Sequence, residues 1–104
     1  MKKVEMLQLP NGKTPFEEWF KKLSFEEEVR IDNYVKRLAA GGAKKNIRAL
    51  GDSVFEIKIN YGPGFRVYFG EIDSTIILLL LGGNKSTQKR DIKKAKEYWR
   101  SYNV

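Results

Sequence analysis

Neither cysteine nor histidine occurs anywhere in this 104-residue chain. The first absence excludes disulfides and thiolate chemistry. The second removes the commonest neutral-pH base and the commonest zinc ligand, so no metal and no other cofactor is expected. Long apolar runs are missing too. The longest, Ile76 to Leu81, is far short of the roughly 20 residues a membrane helix needs. Met1-Lys2-Lys3 has the charge of a signal-peptide start, but Glu5, Gln8 and Pro10 interrupt the apolar segment that would have to follow. The chain is therefore expected in the cytoplasm, away from membranes. Acidic residues are also scarce. Thirteen Asp and Glu stand against twenty Lys and Arg, leaving a net charge of +7 and a pI near 9.7, a balance that points to polyanionic partners. What is present, 41% hydrophobic and 32% charged residues, suits one domain spanning residues 1–104 around a single modest core.

The pattern along the chain predicts a β-α-α-β-β-β-α order, an α+β fold with a small, curved, mostly antiparallel sheet. Lys3 to Leu9 alternates polar and apolar residues as a strand does, and Asn11-Gly12 marks a turn. Thr14-Pro15-Phe16-Glu17 predicts a helix start, with Thr14 and Glu17 as a capping box and Pro15 at the first helical position. This helix should end near Lys22 or Leu23. Ser24-Phe25-Glu26-Glu27 repeats the capping box. Phe25, Val29, Ile31, Val35 and Leu38 then form an apolar stripe, and Gly41-Gly42 stops the second helix. The two helices form a hairpin able to cover one face of a sheet.

Three strands are expected next. Phe55, Ile57 and Ile59 alternate with Glu56, Lys58 and Asn60. Phe65, Val67 and Phe69 alternate with Arg66, Tyr68 and Gly70. The apolar sets should face the helical hairpin. Lys58 and Arg66 share the other face only if residues of equal parity are opposed, which requires an odd loop or a bulge, and Gly64 suits a bulge. Ile76 to Leu81 lacks alternation and reads as a strand covered on both faces. Ser86 or Thr87 is expected to cap a last helix with Ile92, Ala95, Trp99 and Tyr102 inside. Its outer side carries Lys89, Lys93, Lys96 and Arg100. Residues 85–104 hold seven basic and two acidic side chains, so most of the net charge lies at this end. Gly82-Gly83-Asn84-Lys85-Ser86-Thr87 lacks the glycine spacing of a nucleotide-binding loop. Trp19, Phe20 and Trp99 read as core residues.

Cations standing on otherwise apolar strands beside a lysine-rich helix suggest a surface for phosphates. Arg66 is the leading candidate, because a guanidinium binds two phosphate oxygens at once, and Lys85 is a second clamp. Lys58, crowded by other cations, or Glu56, two residues away on the same face, could take a proton. Tyr68 could stack on a base or donate a proton. A plainer reading pairs Arg66 with Glu56 as a surface ion pair, contributing about 0–1 kcal/mol.

Three segments together carry a family resemblance. The first is Arg48-Ala49-Leu50-Gly51 leading into Val54 to Ile59. The second is Tyr61-Gly62-Pro63-Gly64-Phe65-Arg66-Val67-Tyr68-Phe69. The third is Leu81-Gly82-Gly83-Asn84-Lys85-Ser86-Thr87-Gln88 with the Ala95-Lys96-Glu97-Tyr98-Trp99 helix. With this element order the chain resembles the RelE/ParE toxin superfamily, and within it the HigB-type, phage-derived addiction-module branch. The resemblance spans essentially the whole sequence. It implies the toxin of a type II toxin–antitoxin module, an endoribonuclease that cuts mRNA on the ribosome without a metal. It also implies a cognate antitoxin, of helix-turn-helix HigA-like type. Alternatives within the same resemblance are a ParE-like gyrase poison and a phage remnant that only binds its antitoxin. Arg66 matches the arginine that follows an aromatic on the second hairpin strand. Lys58 matches a basic position on the preceding strand, and Lys85 a basic residue before the final helix. Catalytic candidates are thus Arg66, Lys85, Lys58 and Glu56, and RNA contacts Arg48, Tyr61, Tyr68, Lys89, Lys93 and Lys96. Glu56 stands where some members have lysine, and Asp91 lies nearest to their C-terminal tyrosine or histidine.

Overall fold

The computed structural model describes residues 1–102. Five strands and three helices follow in the order β1 (Lys3–Met6), α1 (Pro15–Phe20), α2 (Phe25–Ala39), β2 (Ile47–Gly51), β3 (Val54–Ile59), β4 (Phe65–Ile72), β5 (Ile76–Asn84) and α3 (Gln88–Tyr102). The strands form one sheet in the order β1-β5-β4-β3-β2. Every pairing is antiparallel except that of β1 with β5.

Local chemistry accounts for the element ends. Pro15 opens α1 as expected, but Thr14 makes no side-chain cap and the first capping box does not form. The helix closes at Phe20, earlier than the sequence pattern suggests. The second box is complete. Glu27 N–H donates to Ser24 Oγ at 3.2 Å, and Ser24 N–H donates to Glu27 Oε1 at 2.9 Å. Gly41, at φ +88°, ends the chain's path along α2 in the left-handed region that glycine adopts without strain. Before α3, the cap is Asn84 rather than Ser86 or Thr87. Its Oδ1 accepts from the Ser86 N–H at 2.9 Å at the head of a 3₁₀ turn, Lys85–Thr87.

Helices α1 and α2 cover one face of the sheet. Phe16, Ile31, Val35 and Leu38 pack there against Ile57, Ile59, Phe65, Val67 and Phe69, as the strand alternation requires. The expectation of a single core is corrected by α3, which crosses the opposite face and closes a second core of Leu7, Val54, Tyr68, Leu78, Leu80 and Ala95. Strand β5 therefore contributes Ile77 and Leu79 to one core and Leu78 and Leu80 to the other. Each core has an indole over a glycine. Trp19 lies against Gly82 and Trp99 against Gly70, leaving no space for a Cβ at either position.

Three stripe residues are not inside. Phe25 and Val29 are exposed, because residues 29 and 31 are about 200° apart around a helix and cannot share a face. Tyr102 is exposed at the end of α3, where its ring stacks on Trp99 at 6.1 Å.

Strand β2 was not expected from the sequence. It is a short edge strand that pairs Arg48 with Glu56, reached through Asp52-Ser53, both at positive φ. That conformation is usual for a two-residue hairpin turn, but it is ordinarily marked by Asn-Gly or Asp-Gly. Asp73-Ser74 makes the same turn between β4 and β5. Strand β1 ends at Met6, short of Leu9, while β5 runs on to Asn84, past Leu81. Between β3 and β4 the register opposes Lys58 to Arg66, as the parity argument asks. The odd loop Asn60–Gly64 achieves this and β3 and β4 pair without a bulge; the irregularity in β4 falls instead at Tyr68/Phe69 against β5.

Candidate functional site

The β3–β4 register places Lys58 directly across from Arg66 and Glu56 across from Tyr68, all on the face that α3 approaches. The next strand out adds Arg48 beside Glu56. Two adjoining hollows open here. One, of about 560 Å³, is lined by Lys45, Asn46, Arg48, Glu56 and Gln88 among others. The second, of about 470 Å³, is lined by the Tyr61–Gly64 turn and Lys85. Lys58, Asn60 and Arg66 belong to both. Arg66 and Lys85 thus meet at one concave surface.

Arg66 is only 6% exposed. Its Nη1 donates to the Gly64 carbonyl at 2.7 Å, and among the described residues its buried Nε has no hydrogen-bond partner. A guanidinium held this way by its own turn is oriented but not neutralised, and leaving a buried charged donor unmade costs about 1–3 kcal/mol or more. Lys58 across from it is exposed and like-charged, an arrangement that disfavours the strand pair. A bound anion at their junction would relieve the like-charge cost.

Glu56 does not pair with Arg66, which corrects the surface ion-pair reading. It is 4% exposed, lies 3.3 Å from Arg48 Nη2, and accepts at 2.9 Å from Gln88 Nε2 at the start of α3. Its neighbour across the strands, Tyr68, is fully buried, so the expected base-stacking role is also corrected. The reason is α3, which covers that side chain. Among the described residues the Tyr68 hydroxyl has no hydrogen-bond partner of good geometry. Burial first, then the negative charges of Glu56 and Asp91, hold its pKa far above the usual tyrosine value, with Arg66 opposing. Asp91 is itself buried, accepts from the Thr87 hydroxyl, and fills the space over Gly83. Gly82 and Gly83 are strand residues packed against side chains, not a phosphate loop.

The remaining candidates disperse. The Tyr61 ring sits under the Arg30 guanidinium at 4.4 Å, and a hydrogen bond to Glu26 raises its hydroxyl pKa, so it ties the β3–β4 turn to α2 while lining the second hollow. Lys89 and Lys93 line a separate shallow depression with Ser86, Thr87 and Arg90. Lys96 lies 3.6 Å from Asp52 at the β2–β3 turn, outside both hollows. Helix spacing groups these lysines on one side, but α3 turns them away from the sheet cations. Gln88, Asn60 and Lys45 line the site without being site candidates on sequence grounds. Only the tertiary contact of Gln88 with Glu56, 32 residues away, identifies the first of these.

Among the described residues, no helix is long and apolar enough to cross a membrane. A family model described as phage derived protein Gp49-like (DUF891) matches residues 18–100. A protein of Haemophilus influenzae described as uncharacterized is 39% identical over 82 residues, which cover 78% of this chain and 82% of that protein.

Proposed function

The chain belongs to the Gp49-like phage-derived family, a toxin family of RelE-like kind, and from that premise we propose that it is a ribosome-dependent mRNA endonuclease of HigB type. A toxin family implies an antitoxin partner in general; a helix-turn-helix antitoxin, the ribosome and mRNA are the partners of this proposal. The observation that carries it is the buried Arg66, oriented by the Gly64 carbonyl and short of a partner at Nε, where two cation-lined hollows meet.

The chemistry follows from those positions. Arg66 holds the non-bridging oxygens of the scissile phosphate and stabilises the charge gathering on the phosphorane. Lys58, once it has shed its own proton, takes the proton from the 2′-OH. The 2′-oxygen bonds to phosphorus, the bond from phosphorus to the 5′-oxygen breaks, and Lys85 returns a proton to the departing oxygen. The products are a 2′,3′-cyclic phosphate and a 5′-hydroxyl end. Glu56, already engaged by Arg48 and Gln88, is assigned to positioning rather than to proton transfer.

Inducing wild type and Arg66→Ala in a bacterial host, with primer extension to map cuts, tests this reading. Growth arrest with cuts inside codons for wild type, and neither for Arg66→Ala, is the expected result. The rate loss on removing such a donor is about 10²–10³-fold. One observation favours a second reading, inhibition of a protein target in the manner of the ParE branch. Asp91, at the position nearest to the C-terminal tyrosine or histidine of some RelE/ParE members, is buried against Gly83 and Thr87 with Arg90 beside it. Equal arrest by both proteins without cuts would establish that alternative.

A further inference from the structure

We propose that Gln88 is a specificity-determining residue that reads the edge of the nucleobase adjoining the phosphate held by Arg66. The proposal deepens the RNA-binding reading above and rests on it. Gln88 lines the same hollow as Arg66 and Lys58. Its Nε2 donates to Glu56 Oε2 at 2.9 Å. An ionised carboxylate only accepts hydrogen bonds, so the amide cannot turn over, and which end faces Glu56 is fixed by chemistry. The second N–H of Nε2 and the carbonyl Oε1 remain, and among the described residues neither has a partner. One donor and one acceptor, side by side and held in a known order, match the edge of a base that offers the complementary pair.

The charges in the hollow assign the two parts of a nucleotide. Phosphate is drawn to Arg66 and Lys58, the cations common to both hollows. Beside the Gln88 amide stands the Glu56 carboxylate, which disfavours phosphate there, and the cation nearest to it, Arg48, is already paired with that carboxylate. The part of a nucleotide that can approach Gln88 is therefore the neutral base. The base must be unpaired for its edge to be free, so the ligand is single-stranded RNA.

Fluorescence anisotropy with short homopolymeric RNA oligonucleotides of each base, at one fixed salt concentration, tests the assignment without requiring cleavage. Wild type is expected to separate the best from the worst base by about tenfold. Gln88→Leu should collapse that spread. Glu56→Gln, which frees the amide to turn over, should narrow the spread although Gln88 is still present. Arg66→Ala should weaken all four bases alike. A wild type without preference, or a preference that survives Gln88→Leu, overturns the proposal. If Gln88→Leu melts early, the Glu56→Gln result decides. Primer extension keeps the two readings apart. Cuts by wild type whose sequence preference ignores Gln88 would sink this inference and leave the nuclease standing. Base preference that depends on Gln88, in a protein that never cuts, would do the reverse.

Discussion

Tyr68 and Arg66 alternate with buried apolar residues on one strand, and each buries a polar atom with no partner among the described residues. The two atoms differ in what they cost. The Tyr68 hydroxyl lies under α3, beyond reach of a ligand, and removing it removes a desolvation penalty. Tyr68→Phe is expected to leave stability unchanged or raise it by about 1 kcal/mol in urea denaturation. Its pH dependence has a definite sign. Tyr68 has a pKa raised above its unfolded value of 10.0, so the neutral form is favoured in the fold. The associated stability is complete below pH 10 and is lost as pH rises beyond it. Wild type should therefore weaken more steeply than Tyr68→Phe in alkaline melts. A Tyr68→Phe variant markedly less stable at neutral pH would mean that the hydroxyl has a structural partner. Arg66, by contrast, sits at an open hollow. Arg66→Lys keeps the charge but loses the planar fork, and under the proposed nuclease reading cleavage should fall well below wild type while the protein is still expressed.

At the scale of elements, the sheet is held between two helical layers by contacts that admit no extra atom. A Cβ on Gly70 would run into the Trp99 ring, and one on Gly82 into the Trp19 ring. Gly70→Ala and Gly82→Ala are each expected to cost about 1–3 kcal/mol by overpacking, measured as a lower urea midpoint. The β3–β4 hairpin behaves oppositely. Lys58 faces Arg66 directly, and like charges in that relation are destabilising. Lys58→Thr should raise the urea midpoint while abolishing cleavage, the signature of a strand pair that gives up stability to hold an anion. A drop in midpoint would show that Lys58 supports the sheet instead.

For the molecule as a whole, the net charge of +7 is not spread evenly over one binding surface. Arg48, Lys58, Arg66 and Lys85 gather at the hollows, whereas Lys89 and Lys93 occupy a separate depression and Lys96 is engaged with Asp52. If the four gathered cations carry the contact, log affinity for single-stranded RNA should fall with log salt with a slope of roughly −3. Lys96→Ala should leave that slope unaltered, while Lys85→Ala should reduce it by about 0.7. Equal effects of the two substitutions would show that the helix, not the sheet, carries the RNA.

Sequence by itself determined what depends on neighbours along the chain. The two-residue period of β3 and β4, the parity that opposes Lys58 to Arg66, the Ser24–Glu27 capping box and the unalternating run of β5 are all local patterns, and each has a local energetic cause. Arg66 was legible as a candidate because a lone cation inside an apolar alternation stands out in one dimension. What tertiary structure decided was which surfaces meet. Edge strand β2 was hidden because Asp-Ser turns do not advertise the positive φ they adopt here. The second core, the burial of Tyr68, the pairing of Glu56 with Arg48, and Gln88 reaching across to Glu56 all follow from where α3 crosses the sheet. No periodicity encodes that crossing, because it is set by the fit of Trp99 to Gly70 and of Asp91 to Gly83, contacts between residues far apart in the chain.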